Sequence, residues 1–94
     1  MSESLCRQRI NAAVSRAIKL GVIKREGCCR KGCNREYTVA HHKDYNKPLS
    51  VVFLCMKHHV AWHSKRAAKQ PKEKLYNLSA SSLFDLGMKQ LGLM

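Results

Sequence analysis

The sequence predicts a small α+β domain: an N-terminal helix, a strand–loop–strand–helix core, a basic connector and a short C-terminal helix. Three observations carry that class. Residues 4–20 place apolar side chains at three- and four-residue steps, the period of a helix with one buried face. Two short β-forming runs, 37–39 and 51–54, flank the turn-rich segment KDYNKP and so pair as a hairpin. Four of the five cysteines and all five histidines lie between residues 28 and 63. A chain of 94 residues is near the size at which apolar burial alone gives a thin margin of stability, so a cross-link there is expected.

The first helix carries Leu5, Cys6, Ile10, Ala13, Val14, Ala17 and Ile18 on its apolar stripe, with Arg7, Gln8, Asn11, Ser15 and Lys19 opposite. Ser2 or Ser4 is suited to cap its start, and Gly21 to the left-handed position just past its end. Cys6 falls on the stripe, far from any ligand pair, and reads as a small core residue. After the extended Val22–Ile23, the segment EGCCRKGCNREYTVAHH has the glycines and tight cysteine spacing of a metal knuckle. Tyr37-Thr38-Val39 reads as the first strand and Val51-Val52-Phe53-Leu54 as the second. From Met56 the pattern is helical, with no breaker before Pro71. Residues 65–78 form the basic connector, and the tail 79–94 places Leu83, Phe84, Met88 and Leu91 on one side. That last stripe suits packing on the domain, on a protein partner or on a second copy. The chain thus reads as a single domain over 1–94, with a knuckle and core at 28–64 and no internal repeat.

Eighteen Lys+Arg against six Asp+Glu give a net charge of +12, which points to a polyanionic partner, nucleic acid foremost. An acidic protein or membrane surface would also accept it. With two Phe, three Tyr and one Trp, a stacking platform for single strands is poorly supported. The N-terminus, MSESLCRQRINAAVSRAIKLG, is broken by Arg7, Arg9, Arg16 and Lys19, unlike a secretory leader. No apolar run is long enough to span a bilayer, so a cytoplasmic protein with no membrane partner is expected. In a reducing compartment five cysteines read as metal ligands, and the odd number leaves one bystander.

Zinc sites are commonly built from two closely spaced ligand pairs. Here Cys33 pairs with Cys29 or, alternatively, Cys28, and Cys55 pairs with His58, giving a Cys3His tetrahedron that ties the knuckle to the start of the helix. Four histidines remain. His59 and His63 are four apart, on one helical face, and can chelate one ion. His41 and His42 are neighbours at a strand end, so their side chains diverge, one toward the ion and one toward a substrate. Spacing alone fits a hydrolytic centre and fits polar packing or a second structural site equally well.

The stretch HHKDYNKPLSVVFLCMKHHVAWH, residues 41–63, resembles the core HHxDYxKPLxVxWLCxxHHxxxH of small phage-type HNH endonucleases, also called His-Me finger or ββα-metal nucleases. With the lead-in AIKLGVIK and the knuckle, the resemblance covers roughly residues 12–64. It implies a zinc-stabilised ββα-metal core and metal-dependent hydrolysis or nicking of DNA phosphodiesters, in a phage-encoded protein acting inside the host cell. His41, His59 and His63 would hold a divalent cation such as Mg²⁺, Mn²⁺, Ni²⁺ or Zn²⁺, with His42 the general base. Cys29 (or Cys28), Cys33, Cys55 and His58 would hold structural zinc, and Lys43, Lys47, Lys65 and Arg66 would meet DNA phosphates. One position departs: Ser50 stands where the family has an Asn, and a hydroxyl lacks the two-ended amide. That substitution favours an alternative, a non-catalytic zinc module on the same scaffold that binds nucleic acid or serves phage assembly.

Overall fold

The structure is a computed structural model and describes residues 3–93. It is an α+β domain with three α-helices and one two-stranded antiparallel sheet. Helix α1, Glu3–Lys19, buries Cys6, Ile10, Ala13, Val14 and Ala17, the stripe its periodicity marks out. It ends in a doubly bonded turn: Gly21 takes φ +81°, its N–H donates to the Ile18 carbonyl at 3.1 Å, and the Val22 N–H donates to the Ala17 carbonyl at 2.9 Å. Ser4 lies inside the first turn and is not the cap, and Ser2 lies outside the described residues.

Strands β1, Val39–His41, and β2, Val52–Leu54, pair with Val39 opposite Leu54, Ala40 opposite Phe53 and His41 opposite Val52. β1 begins two residues later than the β-propensity of Tyr37-Thr38 predicts. The Thr38 hydroxyl donates to the Glu26 carbonyl at 2.7 Å, and the Arg25 guanidinium donates to the Thr38 carbonyl. Those bonds hold residue 38 to the segment ahead of the knuckle, leave Tyr37 exposed, and move the ladder onto His41. The knuckle also covers the outer side of β2, where the Cys29 N–H donates to the Phe53 carbonyl at 2.8 Å.

Helix α2, Met56–Lys65, follows β2 with only Cys55 between. It stops earlier than the lack of breakers before Pro71 predicts, because the chain beyond it pairs with the loop joining the strands. The Lys69 N–H donates to the Lys43 carbonyl and the Tyr45 N–H to the Lys69 carbonyl, both at 2.9 Å, forming a parallel bridge between Asp44 and Lys69. Asn46 reinforces it with both ends of its amide: Nδ2 donates to the Gln70 carbonyl at 3.0 Å and Oδ1 accepts from the Lys72 N–H at 2.8 Å. The connector is therefore an ordered strap, and its 3₁₀ turn Glu73–Leu75 delivers Leu75 to the core.

Helix α3, Ala80–Gln90, is capped by Ser79, whose side chain accepts from the Ser82 N–H at 3.1 Å. Its Leu83 and Phe84 join Cys6, Ile10, Ala13, Val14 and Ala17 in one core, with Leu49 and Leu75 completing it. Cys6 is the small buried residue its place on the stripe predicts; burial pushes its thiol pKa up, and its Sγ contacts the Leu75 carbonyl at 3.6 Å. Met88 is half-buried against this core, but Leu91, the residue that ends the helix, is exposed. Gly87 lets α3 approach the strand-joining loop: a Cβ there would lie 2.4 Å from Leu49 Cγ.

Gly87→Ala is expected to destabilise the chain by about 1–2 kcal/mol, since overpacking of this kind outweighs the roughly 1 kcal/mol that Ala gains over Gly in a helix. Denaturant unfolding should show a lower midpoint with unchanged slope. A higher midpoint would mean that Leu49 does not pack against α3.

Candidate metal centres

The knuckle and the β2–α2 junction bring Cys28, Cys33, Cys55 and His58 together, with one ligand atom from each lying within 4.8 Å of the others. Cys55 Sγ is 3.2 Å from His58 Nδ1 and 3.9 Å from Cys33 Sγ, and Cys28 Sγ is 3.4 Å from the same Nδ1. This cluster can hold one metal ion. Cys28, and not Cys29, is the cysteine that joins Cys33 in the cluster. Successive side chains of extended backbone point to opposite sides, and the Cys29 N–H is held by Phe53, so its thiol faces solvent.

The cluster's electrostatics suit a cation. Burial raises the Cys28 thiol pKa, but the N–H groups of Cys55 and Arg30, with His58 and Cys33, outweigh it and bring the thiol down to about 6. The Arg35 N–H lowers Cys33, yet burial and the neighbouring sulfurs of Cys28 and Cys55 raise it on balance. Crowded thiolates repel one another, and a bound cation removes that cost.

On the other face of the β2–α2 junction, His41 meets His59 and His63, and their ligand atoms also lie within 4.8 Å of one another. The two helical rings approach to 3.1 Å between their Nε2 atoms. His41 is only 2 % exposed and its Nε2 has no hydrogen-bond partner among the described residues. A buried imidazole nitrogen without a partner is costly unless something occupies its lone pair. Burial, then the charges of His59 and His63, pull the His41 pKa down to about 4; burial, then His63, lowers His59. Both imidazoles are thus neutral at pH 7, the form that ligates metal.

His42 turns away from this group, as its neighbouring position predicts. Its Nε2 lies 2.8 Å from the Pro48 carbonyl, an acceptor only, so Nε2 carries the proton and Nδ1 the lone pair. The ring stacks on Tyr45 at 4.8 Å between centroids. Burial lowers its pKa, against the opposing pull of the Pro48 carbonyl, which keeps the ring a neutral base. Ser50 is exposed, its N–H donating to the Lys47 carbonyl at 3.0 Å, and the loop around His42 is held by Pro48, Tyr45 and the Asn46 amide instead. Trp62, Tyr45 and Pro48 are the neighbours that residue spacing did not single out, although Tyr45 and Pro48 fall within the turn segment just after His42.

Lys43, Lys47, Lys65 and Arg66 are all exposed. Lys43 and Lys47 sit on the strand-joining loop, while Lys65 and Arg66 line a cleft beside α2. No helix among the described residues is long and apolar enough to cross a membrane. Comparison with family models, with curated proteins and with solved structures returns no match for this chain.

Cys28→Ser should lose tightly held metal after dialysis, whereas Cys29→Ser should retain about one equivalent in the thiol-rich site. Elemental analysis of the two purified variants distinguishes them. Equal retention would remove Cys28 from the ligand set.

Proposed function

We propose that this chain is a zinc-stabilised, metal-dependent DNA endonuclease of the HNH type, hydrolysing phosphodiester bonds, in which β1, β2 and α2 form a ββα-metal core. The observation that carries the reading is the orphaned, buried Nε2 of His41 facing the His59–His63 pair, beside a His42 whose tautomer is fixed by Pro48. The donor sets divide the metals. Zn–S bonds of about 2.3 Å and Zn–N bonds of about 2.0 Å at tetrahedral angles imply S···S near 3.8 Å and S···N near 3.5 Å. The separations of 3.9 Å for Cys33–Cys55 and 3.2–3.4 Å to His58 fit that geometry, so structural zinc is assigned to this cluster.

Three histidines are the other donor set, leaving positions open around a divalent ion such as Mg²⁺, Mn²⁺, Ni²⁺ or Zn²⁺. Such an ion, when bound, would supply positive charge to the phosphate and to the leaving oxygen. His42 does the proton chemistry. Its Nδ1 takes a proton from a water whose oxygen bonds to phosphorus, while the opposing phosphorus–oxygen ester bond breaks and the departing alkoxide is protonated by solvent. Pro48 holds the ring so that this nitrogen, and not Nε2, carries the lone pair.

A second reading, a non-catalytic module binding nucleic acid or a phage protein, is favoured by the exposed Ser50 at the motif's Asn position. The net charge of +12 serves either reading. Supercoiled plasmid incubated with Mg²⁺, Mn²⁺ or Ni²⁺ separates them. The native chain is expected to nick, and His42→Ala to be slower by about 10²–10⁴-fold with its zinc intact. No cleavage by the native chain, or equal cleavage by the variant, would leave the non-catalytic reading.

A further inference from the structure

A cleft of about 160 Å³ opens between the knuckle and the end of α2. Its rim is basic, with Arg30 from the knuckle, Lys65 at the end of α2 and Arg66 just past it, and the buried Leu54 and half-buried Trp62 give it an apolar floor. Among the described residues the one ion pair is Arg7 with Glu3, so the three rim cations have no carboxylate partner. The cleft adjoins both metal-ligand clusters. His58, a member of the thiol cluster, contributes to its wall. The Trp62 ring lies 4.3 Å, centroid to centroid, from His41 of the other.

We infer that this cleft is a phosphate subsite, in which Arg30, Lys65 and Arg66 clamp a nucleic-acid backbone phosphate next to the one held at the histidines. The inference rests on the nuclease reading for the position of the neighbouring phosphate. The chemistry of the cleft is local. An arginine pair offers planar, forked donors that match phosphate oxygens, and a lysine adds a point charge. The apolar floor lowers the local dielectric, so these charges act more strongly than on open surface. Arg30 and the α2 pair come from segments joined by the thiol cluster through Cys28, Cys33, Cys55 and His58. The metal cross-link therefore fixes the width of the clamp.

Trp62 is the only tryptophan of the chain, so the cleft carries its own fluorescent reporter. The full-length protein would be titrated, without added Mg²⁺ or other cleavage cofactor, with a short DNA duplex and separately with inorganic phosphate. Saturable change of Trp62 emission by duplex, with phosphate needed in large excess, is expected and identifies the backbone as the source. Equal occupancy by free phosphate would overturn the backbone assignment. The double variant Arg30→Gln/Arg66→Gln should weaken duplex binding about 10-fold or more and flatten the slope of log affinity against log salt by roughly one to two. Lys19→Gln on α1, a surface-cation control outside the cleft, should leave emission and slope near native. An unchanged slope in the double variant, an effect as large in Lys19→Gln, or no duplex binding overturns the proposal. Plasmid cleavage is scored apart: native binding that depends on Arg30 and Arg66 without any nicking keeps the subsite and removes the nuclease reading. Nicking at native kcat/KM by the double variant does the reverse.

Discussion

Cys55 is the residue on which the arrangement turns. It follows directly on β2, takes the N-cap position of α2, is almost completely buried, and joins the thiol cluster. Its carbonyl accepts the His59 N–H at 2.9 Å, so the direction in which α2 leaves the strand is set at this one residue. A helix of ten residues with none of its side chains fully buried has little packing to hold it. What holds α2 is the junction: His58 on one side reaches back to the knuckle, while His59 and His63 face β1. The two clusters thus share α2 as a common wall, with His58 in one and His59 and His63 in the other.

The larger core lies away from both clusters, between α1 and α3, and supports them at a distance through Leu49. Leu49 and the buried Pro48 belong to the loop that carries His42, so apolar packing on one side positions an imidazole on the other. The strap from 67 to 75 closes the same loop from outside, through Asp44–Lys69 and the Asn46 amide. The loop is therefore fixed from two sides, by the core and by the strap, even though little of it belongs to regular structure.

Local patterns made much of this legible. The α1 stripe, the Gly21 turn, the hairpin, the Cys55–His58 pair and the shared face of His59 and His63 all follow from periods of 3.6 and 2 and from turn chemistry. What escaped depended on partners distant in sequence. Cys28 and Cys29 differ only in which one faces the junction, and that is decided by a hydrogen bond to Phe53. The start of β1 was set by Arg25 and Glu26 holding Thr38, and the end of α2 by pairing of Lys69 with the loop. No helix or strand propensity encodes such long-range competition for backbone groups. The His42–Pro48 bond spans six residues but needs the turn between them folded first.

The register of β1 has a chemical meaning beyond its contribution to stability. His41 and His42 are identical side chains distinguished only by the face on which each emerges, one toward the helix histidines and one toward Pro48. In a strand every single-residue slip exchanges the two faces. Sliding the 38–42 segment by one position would exchange the faces on which His41 and His42 emerge, without altering a single atom of the sequence. The bonds of Thr38 to the segment before the knuckle act as an index pin against that interchange, and two adjacent, chemically equal imidazoles acquire separate identities from three residues of pairing.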